Sequence, residues 1–229
     1  MANQKLQSKP GGHRTRLRNR FQASSLQGLQ DYEALELMLT FALPRIDTKP
    51  IARALLKRFN GLWGVFGAGE RELREIPGVG PRAALLVTLV RELSAACLRE
   101  GLRRRNILKS PEAVADYVRM ALAWRPTEAC LAIFVNARNE VLGDEIVSDG
   151  AVDRTVVFPR RVIERALERK ASGFLLAHNH PGGQPAPSPE DDLLTRRLKA
   201  AAEAVDVRFL DHLIVTTEGF YSYRRNGLV

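Results

Sequence analysis

His178-Asn179-His180-Pro181 is followed, across the loop Gly182-Gly183-Gln184-Pro185-Ala186-Pro187, by Ser188-Pro189-Glu190-Asp191. The apolar run Phe174-Leu175-Leu176-Ala177 reads as a buried strand that delivers the chain to the two histidines. On a strand, residues two apart share a face, so His178 and His180 can converge on one point. Pro181 ends strand pairing just beyond them. The loop is built of turn formers able to swing the chain back. Ser188 then starts a helix, with Pro189 at its first position and Asp191 in its first turn. A carboxylate there is favoured by the helix N-terminus and stays ionised, as a ligand must. Two imidazoles and a carboxylate are donors that zinc prefers, and three protein ligands leave one position open for water. Each piece also has a plainer reading. Ser-x-x-Asp is a capping box, and His-x-His at a strand end can be a hydrogen-bonded pair. Asp192 is the nearest rival ligand, but its side chain should point about 100° away from that of Asp191.

The constellation resembles the JAMM signature of MPN-domain metalloproteases. It is closer still to the bacterial RadC family, which carries His-Asn-His-Pro-x-Gly and then Pro-Ser-x-x-Asp. Here these stand as His178–Gly183 and Pro187–Asp191, and Leu210-Asp211-His212-Leu213 is similar to that family's Leu-Asp-His stretch. The resemblance implies an α/β C-terminal domain of the MPN (JAMM, cytidine-deaminase-like) kind behind a small all-α helix-hairpin-helix domain. It implies Zn2+ held by His178, His180 and Asp191, with hydrolysis of peptide or isopeptide bonds. It also implies a catalytic glutamate at the start of the domain's first strand. Glu128 is the matching position, with Glu145 as its rival, and Ser188 would steady the water or the oxyanion. One stretch departs from the family: its His-Pro-Arg-Glu is here Phe158-Pro159-Arg160-Arg161. The metal ligands are untouched by that change, but substrate recognition is put in question. His212 is open to two readings, as a partner of a ligand or as a satisfied strand histidine.

Working outward, Ser110-Pro111-Glu112 opens a helix through about Leu122, and strands are expected over 131–135, 140–147, 156–157, 208–215 and 219–223. Helices are expected over 159–170 and from Ser188 to about Ala204. Helices interspersed with strands indicate a mixed α/β domain. Ahead of it, helical spacing over 31–43, 50–59, 70–75 and 81–99 describes a small all-α module. The expected divisions are a flexible basic tail over 1–25, the α module over 26–105 and the metal domain over 106–229. The boundary is set at Arg103-Arg104-Arg105.

Charge separates the two halves. Residues 1–105 hold 19 Lys/Arg against 9 Asp/Glu, a net of +10, whereas 106–229 hold 16 against 17, a net of −1. A basic half suits a polyanion. In Ile76-Pro77-Gly78-Val79-Gly80, followed by Pro81 and Arg82, the glycines allow a tight turn and let backbone N–H groups approach a phosphate. Gly78, Gly80 and Arg82 are therefore candidate DNA-phosphate contacts. The alternative is a turn that only packs two helices together. DNA bound this way would be held without reading sequence.

No apolar run approaches the ~18–20 residues of a membrane span, and the basic N-terminus has no signal-peptide core, so a cytoplasmic protein is expected. Cys97 and Cys130 lie in apolar stretches and read as reduced thiols. A zinc deaminase is set aside, since its Cys-x-x-Cys pair is missing. Two rivals to the hydrolase stand. One is a DNA repair or recombination accessory protein with structural or vestigial zinc; the other is a nuclease, although nucleases cluster more carboxylates around two ions.

Overall fold

A computed structural model describes residues 12–103, 105–150 and 158–229. The chain forms two compact units, Met1–Val90 and Arg91–Val229. Their division precedes the arginine run at which the boundary was expected. It falls inside a single helix, because the helical pattern that opens at Pro81 continues unbroken to Leu102.

The first unit contains α1 (His13–Ser24), a 3-10 turn at Ser25–Gly28, α2 (Asp31–Ala42), α3 (Thr48–Phe59), α4 (Leu62–Gly67), α5 (Glu70–Leu73) and the start of α6 (Pro81–Leu102). One expectation is corrected here. Residues 13–24 are helix, not flexible tail, and they escape the apolar-periodicity test because polar contacts hold them. Leu17 is the helix's one buried residue. Arg20 makes a forked ion pair with Glu33 at 2.7 and 2.9 Å, and His13 meets Glu36 at 2.8 Å. The glycine-rich stretch 61–69 contains α4, where burial of Val65 outweighs the weak helix propensity of its glycines.

Leu35, Leu39, Ile51, Leu55, Val65, Leu73, Val79, Ala83 and Val87 form this unit's core. The turn between α5 and α6 depends on Gly78. Its φ is +90°, and a Cβ there would stand 2.7 Å from Ile51 Cδ1. Gly80 faces open space, with nothing within 4 Å of where its Cβ would be.

The second unit is built on a five-stranded mixed sheet in the order β2-β1-β3-β4-β5. The strands are β1 (Ala129–Val135), β2 (Val141–Asp149), β3 (Gly173–Asn179), β4 (Arg208–Val215) and β5 (Phe220–Ser222). β1 pairs antiparallel with β2 and β3, β3 pairs parallel with β4, and β5 closes antiparallel on β4. The parallel pair needs a crossover, which α9 (Pro189–Glu203) supplies. Every residue of β1 and β3 is buried, which explains why they read as continuous apolar runs. α8 (Pro159–Glu168) and α9 cover one face, packing Val162, Ala166, Leu198 and Ala202 on Ala132, Phe134, Phe174 and Leu176. α7 (Pro111–Leu122) packs against β3 and β4. The strand expected at Val156–Val157 lies outside the described residues. Among the described residues, no helix is long and apolar enough to cross a membrane.

Gly78→Ala should destabilise the protein by about 1–3 kcal/mol, because it forces a side chain into left-handed backbone against Ile51. Gly80→Ala should be neutral or slightly stabilising. Denaturant unfolding of the two variants provides the comparison.

Candidate metal centre

β3 ends at Asn179, so its last turn of alternation aims His178 toward α9 while His180 follows in the chain just beyond the sheet. His180 N–H is still tied to Val215 O at 3.0 Å, which carries the strand geometry one residue past its formal end. The two Nε2 atoms lie 2.9 Å apart. Asp191 presents Oδ1 at 3.1 Å from His178 Nε2 and Oδ2 at 3.3 Å from His180 Nε2. Among the described residues, this is the cluster whose ligand atoms can share one ion. The spacing approaches the edge of about 3.3 Å expected for a tetrahedron with bonds of about 2.0–2.1 Å.

The surrounding hydrogen bonds decide which nitrogens carry protons. Thr195, one helical turn beyond Asp191, donates its hydroxyl proton to Asp191 O at 2.7 Å. Its Oγ1 must then accept from His212 Nδ1, also at 2.7 Å. His212 is fully buried, and burial, followed by the nearby His178, pushes its pKa well down, so it is neutral. With its proton on Nδ1, its bare Nε2 accepts from His178 Nδ1 at 2.9 Å. On the other histidine, Nδ1 faces Gln184 O at 3.1 Å, and a carbonyl can only accept. Both rings are therefore held with Nε2 turned toward the carboxylate. Two lone pairs and an anion at this range repel one another unless a cation or a proton lies between them. The donor set fits zinc, and the assigned tautomers are those a metal ligand needs.

The bond to Asp191 raises the pKa of His180; burial opposes the shift, and the charge of Glu128 adds to it. Burial is the largest single influence on Asp191 and opposes its ionisation. The contacts from His178 and His180, with the Ser188 hydroxyl, together outweigh burial and hold it well below the usual carboxylate range.

Ser188 caps α9. Its Oγ accepts from Asp191 N at 3.2 Å and donates to Asp191 Oδ2 at 2.7 Å. The capping-box reading is thus realised, and the carboxylate that makes it is the one that stands beside both histidines. Since the hydroxyl proton of Ser188 is given to Asp191, any contact with an oxyanion requires that hydroxyl to rotate. Asp192, the rival ligand, instead accepts from Tyr223 Oη at 2.7 Å. Tyr223 also stacks on the His212 ring, with centroids 5.1 Å apart.

Glu128 stands directly before β1, exposed, and its charge reaches both His180 and the buried thiol of Cys130. Its rival Glu145 lies on β2 and is engaged elsewhere, by Arg165 at 3.1 Å and Arg169 at 2.6 Å. In the departing stretch, Phe158 is exposed and Arg160 pairs with Glu164 at 2.7 Å. Gly78, Gly80 and Arg82 belong to the first unit. Two participants were missed in the sequence, Thr195 and Asn179. Thr195 carried a usable signal, four residues after Asp191 and so on the same helix face.

A mixed sheet whose third strand leads into two histidines, answered by an aspartate from the crossover helix, thus brings together three side chains that could hold one metal ion. Residues 108–228, just over half of the chain, match the family described as RadC, the RadC-like JAB domain. The chain belongs to the RadC family.

Thr195→Val removes the hydroxyl and nearly keeps the shape, leaving His212 Nδ1 without its acceptor. Zinc affinity, read by chelator competition, should fall about 10–100-fold while the protein stays folded. Proton competition gives a second expectation. The His180 proton favours the metal-free form below the ordinary imidazole pKa of 6.5, and that contribution is lost as pH rises through the raised value. The gain in melting temperature on adding zinc should therefore grow between about pH 5 and 8.

Proposed function

We propose that this protein is a zinc-dependent hydrolase of peptide or isopeptide bonds. The observation that carries this reading is the convergence of two bare imidazole nitrogens and an ionised carboxylate, with the Glu128 carboxylate close enough for its charge to reach His180. Zinc held by His178, His180 and Asp191 would supply Lewis acidity and a water acidic enough to act as nucleophile near neutral pH. Glu128 would accept that water's proton and return it to the leaving amine. Ser188 keeps Asp191 aimed at the histidines. His180 is the more exposed of the two, so substrate reaches the centre from its side. Among the described residues, a single three-residue cluster favours one-ion hydrolysis over the two-ion chemistry common in nucleases.

DNA association through the first unit is part of the same proposal. The exposed side chains of Arg53 and Lys57, with half-buried Lys49, recur every four residues along α3, and none forms an ion pair among the described residues. Ile51, on the same helix, packs against the Gly78 turn, and Gly80 there leaves room for close approach to its backbone. Affinity for duplex DNA should fall steeply with salt, by several-fold or more per doubling of concentration. Salt-insensitive binding would contradict it.

Glu128→Gln should retain zinc and lose hydrolysis by about 10²–10⁴-fold, whereas His178→Ala should lose both. Peptidase and nuclease assays run side by side with metal analysis provide the test. Zinc-dependent DNA cleavage without peptide cleavage would overturn the proposal. Bound zinc without any turnover would point to the accessory-protein alternative.

A further inference from the structure

The residue between the two histidines is Asn179, wholly buried although it is polar. Its side chain spends all its near contacts on one segment. Oδ1 accepts from Ala129 N at 2.8 Å, while Nδ2 donates to Thr127 O at 3.1 Å and Arg125 O at 3.2 Å. That segment carries Glu128. The β1–β3 ladder reaches only as far as Cys130 opposite His178, so beyond it the Asn179 amide replaces the missing backbone pairing. On the other side, Gly150 N donates to Glu128 O at 3.0 Å, and a Cβ at Gly150 would press on Thr127 at 2.7 Å.

From these contacts we infer that Asn179 is a positioning residue for Glu128: it locks the glutamate's backbone to the histidine pair. This rests on the hydrolase reading above. The chemistry asks for asparagine in particular, since one acceptor and two donors on a short planar group are used at once. Aspartate offers no donors in its ionised form, and alanine offers nothing. Because His178 and His180 flank this residue directly, three consecutive positions set the backbone of the proton acceptor and two of the three metal ligands. Displacing an acceptor by about 1 Å can cost on the order of 100-fold in rate without weakening binding.

The test compares wild type, Asn179→Ala, Asn179→Asp, Glu128→Gln and the double variant Asn179→Ala/Glu128→Gln, each checked for folding by thermal melting. In Asn179→Ala, kcat for a peptide substrate should fall roughly 10–100-fold, with KM and zinc affinity within about twofold of wild type. The double variant should be no slower than Glu128→Gln alone, because a lost position is harmless once the acceptor is gone. A further drop in the double variant would show an effect independent of Glu128 and overturn the inference. So would a parallel loss of zinc affinity, which would place the effect on the histidines. Should Asn179→Ala fail to fold, Asn179→Asp carries the same comparison, since it keeps volume and acceptor and loses the two donors. Amide hydrogen exchange separates this inference from the hydrolase reading. If wild type turns over no peptide, the hydrolase reading fails on its own. The Ala129 amide must still lose protection at least tenfold in Asn179→Ala and keep it in Asn179→Asp. Unchanged exchange at Ala129 in Asn179→Ala would overturn the lock.

Discussion

A directed chain of hydrogen bonds ties the metal domain together at its centre. It runs from the backbone of Asp191 through Thr195 and His212 to His178, whose bare Nε2 then faces the Asp191 carboxylate at 3.1 Å. Three secondary-structure elements meet in it: the crossover helix and the two parallel strands it joins. The chain works in one direction only, because Thr195 has a single proton and has already given it away. With His212 kept neutral by burial, that fact sets the tautomers of His212 and His178 and turns a lone pair toward the cluster. A polar chain this deeply buried would be costly if any member lacked a partner, and here each of these contacts is answered.

Much of this fold could be read in the residues. The apolar runs 131–135 and 174–177 gave away their strands because they are covered on both faces, and Ser188-Pro189 marked the helix start by its own chemistry. The ligands were legible for the same reason, since strand alternation and the first helical turn are local geometry. What was hidden depends on distant partners. α1 is basic and nearly free of apolar periodicity, and its helical state relies on carboxylates that α2 supplies. The part played by Thr195 needs His212, and that of Asn179 needs the segment before β1. Neither partner lies nearby in the chain. Glu145 illustrates the reverse case: it precedes apolar strand residues much as Glu128 does, and its pairing with Arg165 and Arg169 becomes visible only in the fold.

The two halves of the chain place their charge to different ends. In the first, arginines and lysines outnumber acids, and Arg53 and Lys57 stand exposed one turn apart on α3. In the second, acids balance the cations, and some pair directly, as with Arg165 and Arg169 on Glu145 or Arg125 on Asp149.

The capping of α9 has one more consequence. Asp191 Oδ2 accepts the Ser188 N–H at 2.8 Å and the Ser188 hydroxyl, and that same atom faces His180. The start of the helix and the aspartate's place in the cluster thus draw on a single oxygen. Whatever draws electron density from that oxygen loosens its grip on the first turn, and whatever frays the turn lets the oxygen drift. Order at the head of the helix and the aim of the carboxylate are therefore coupled through one atom.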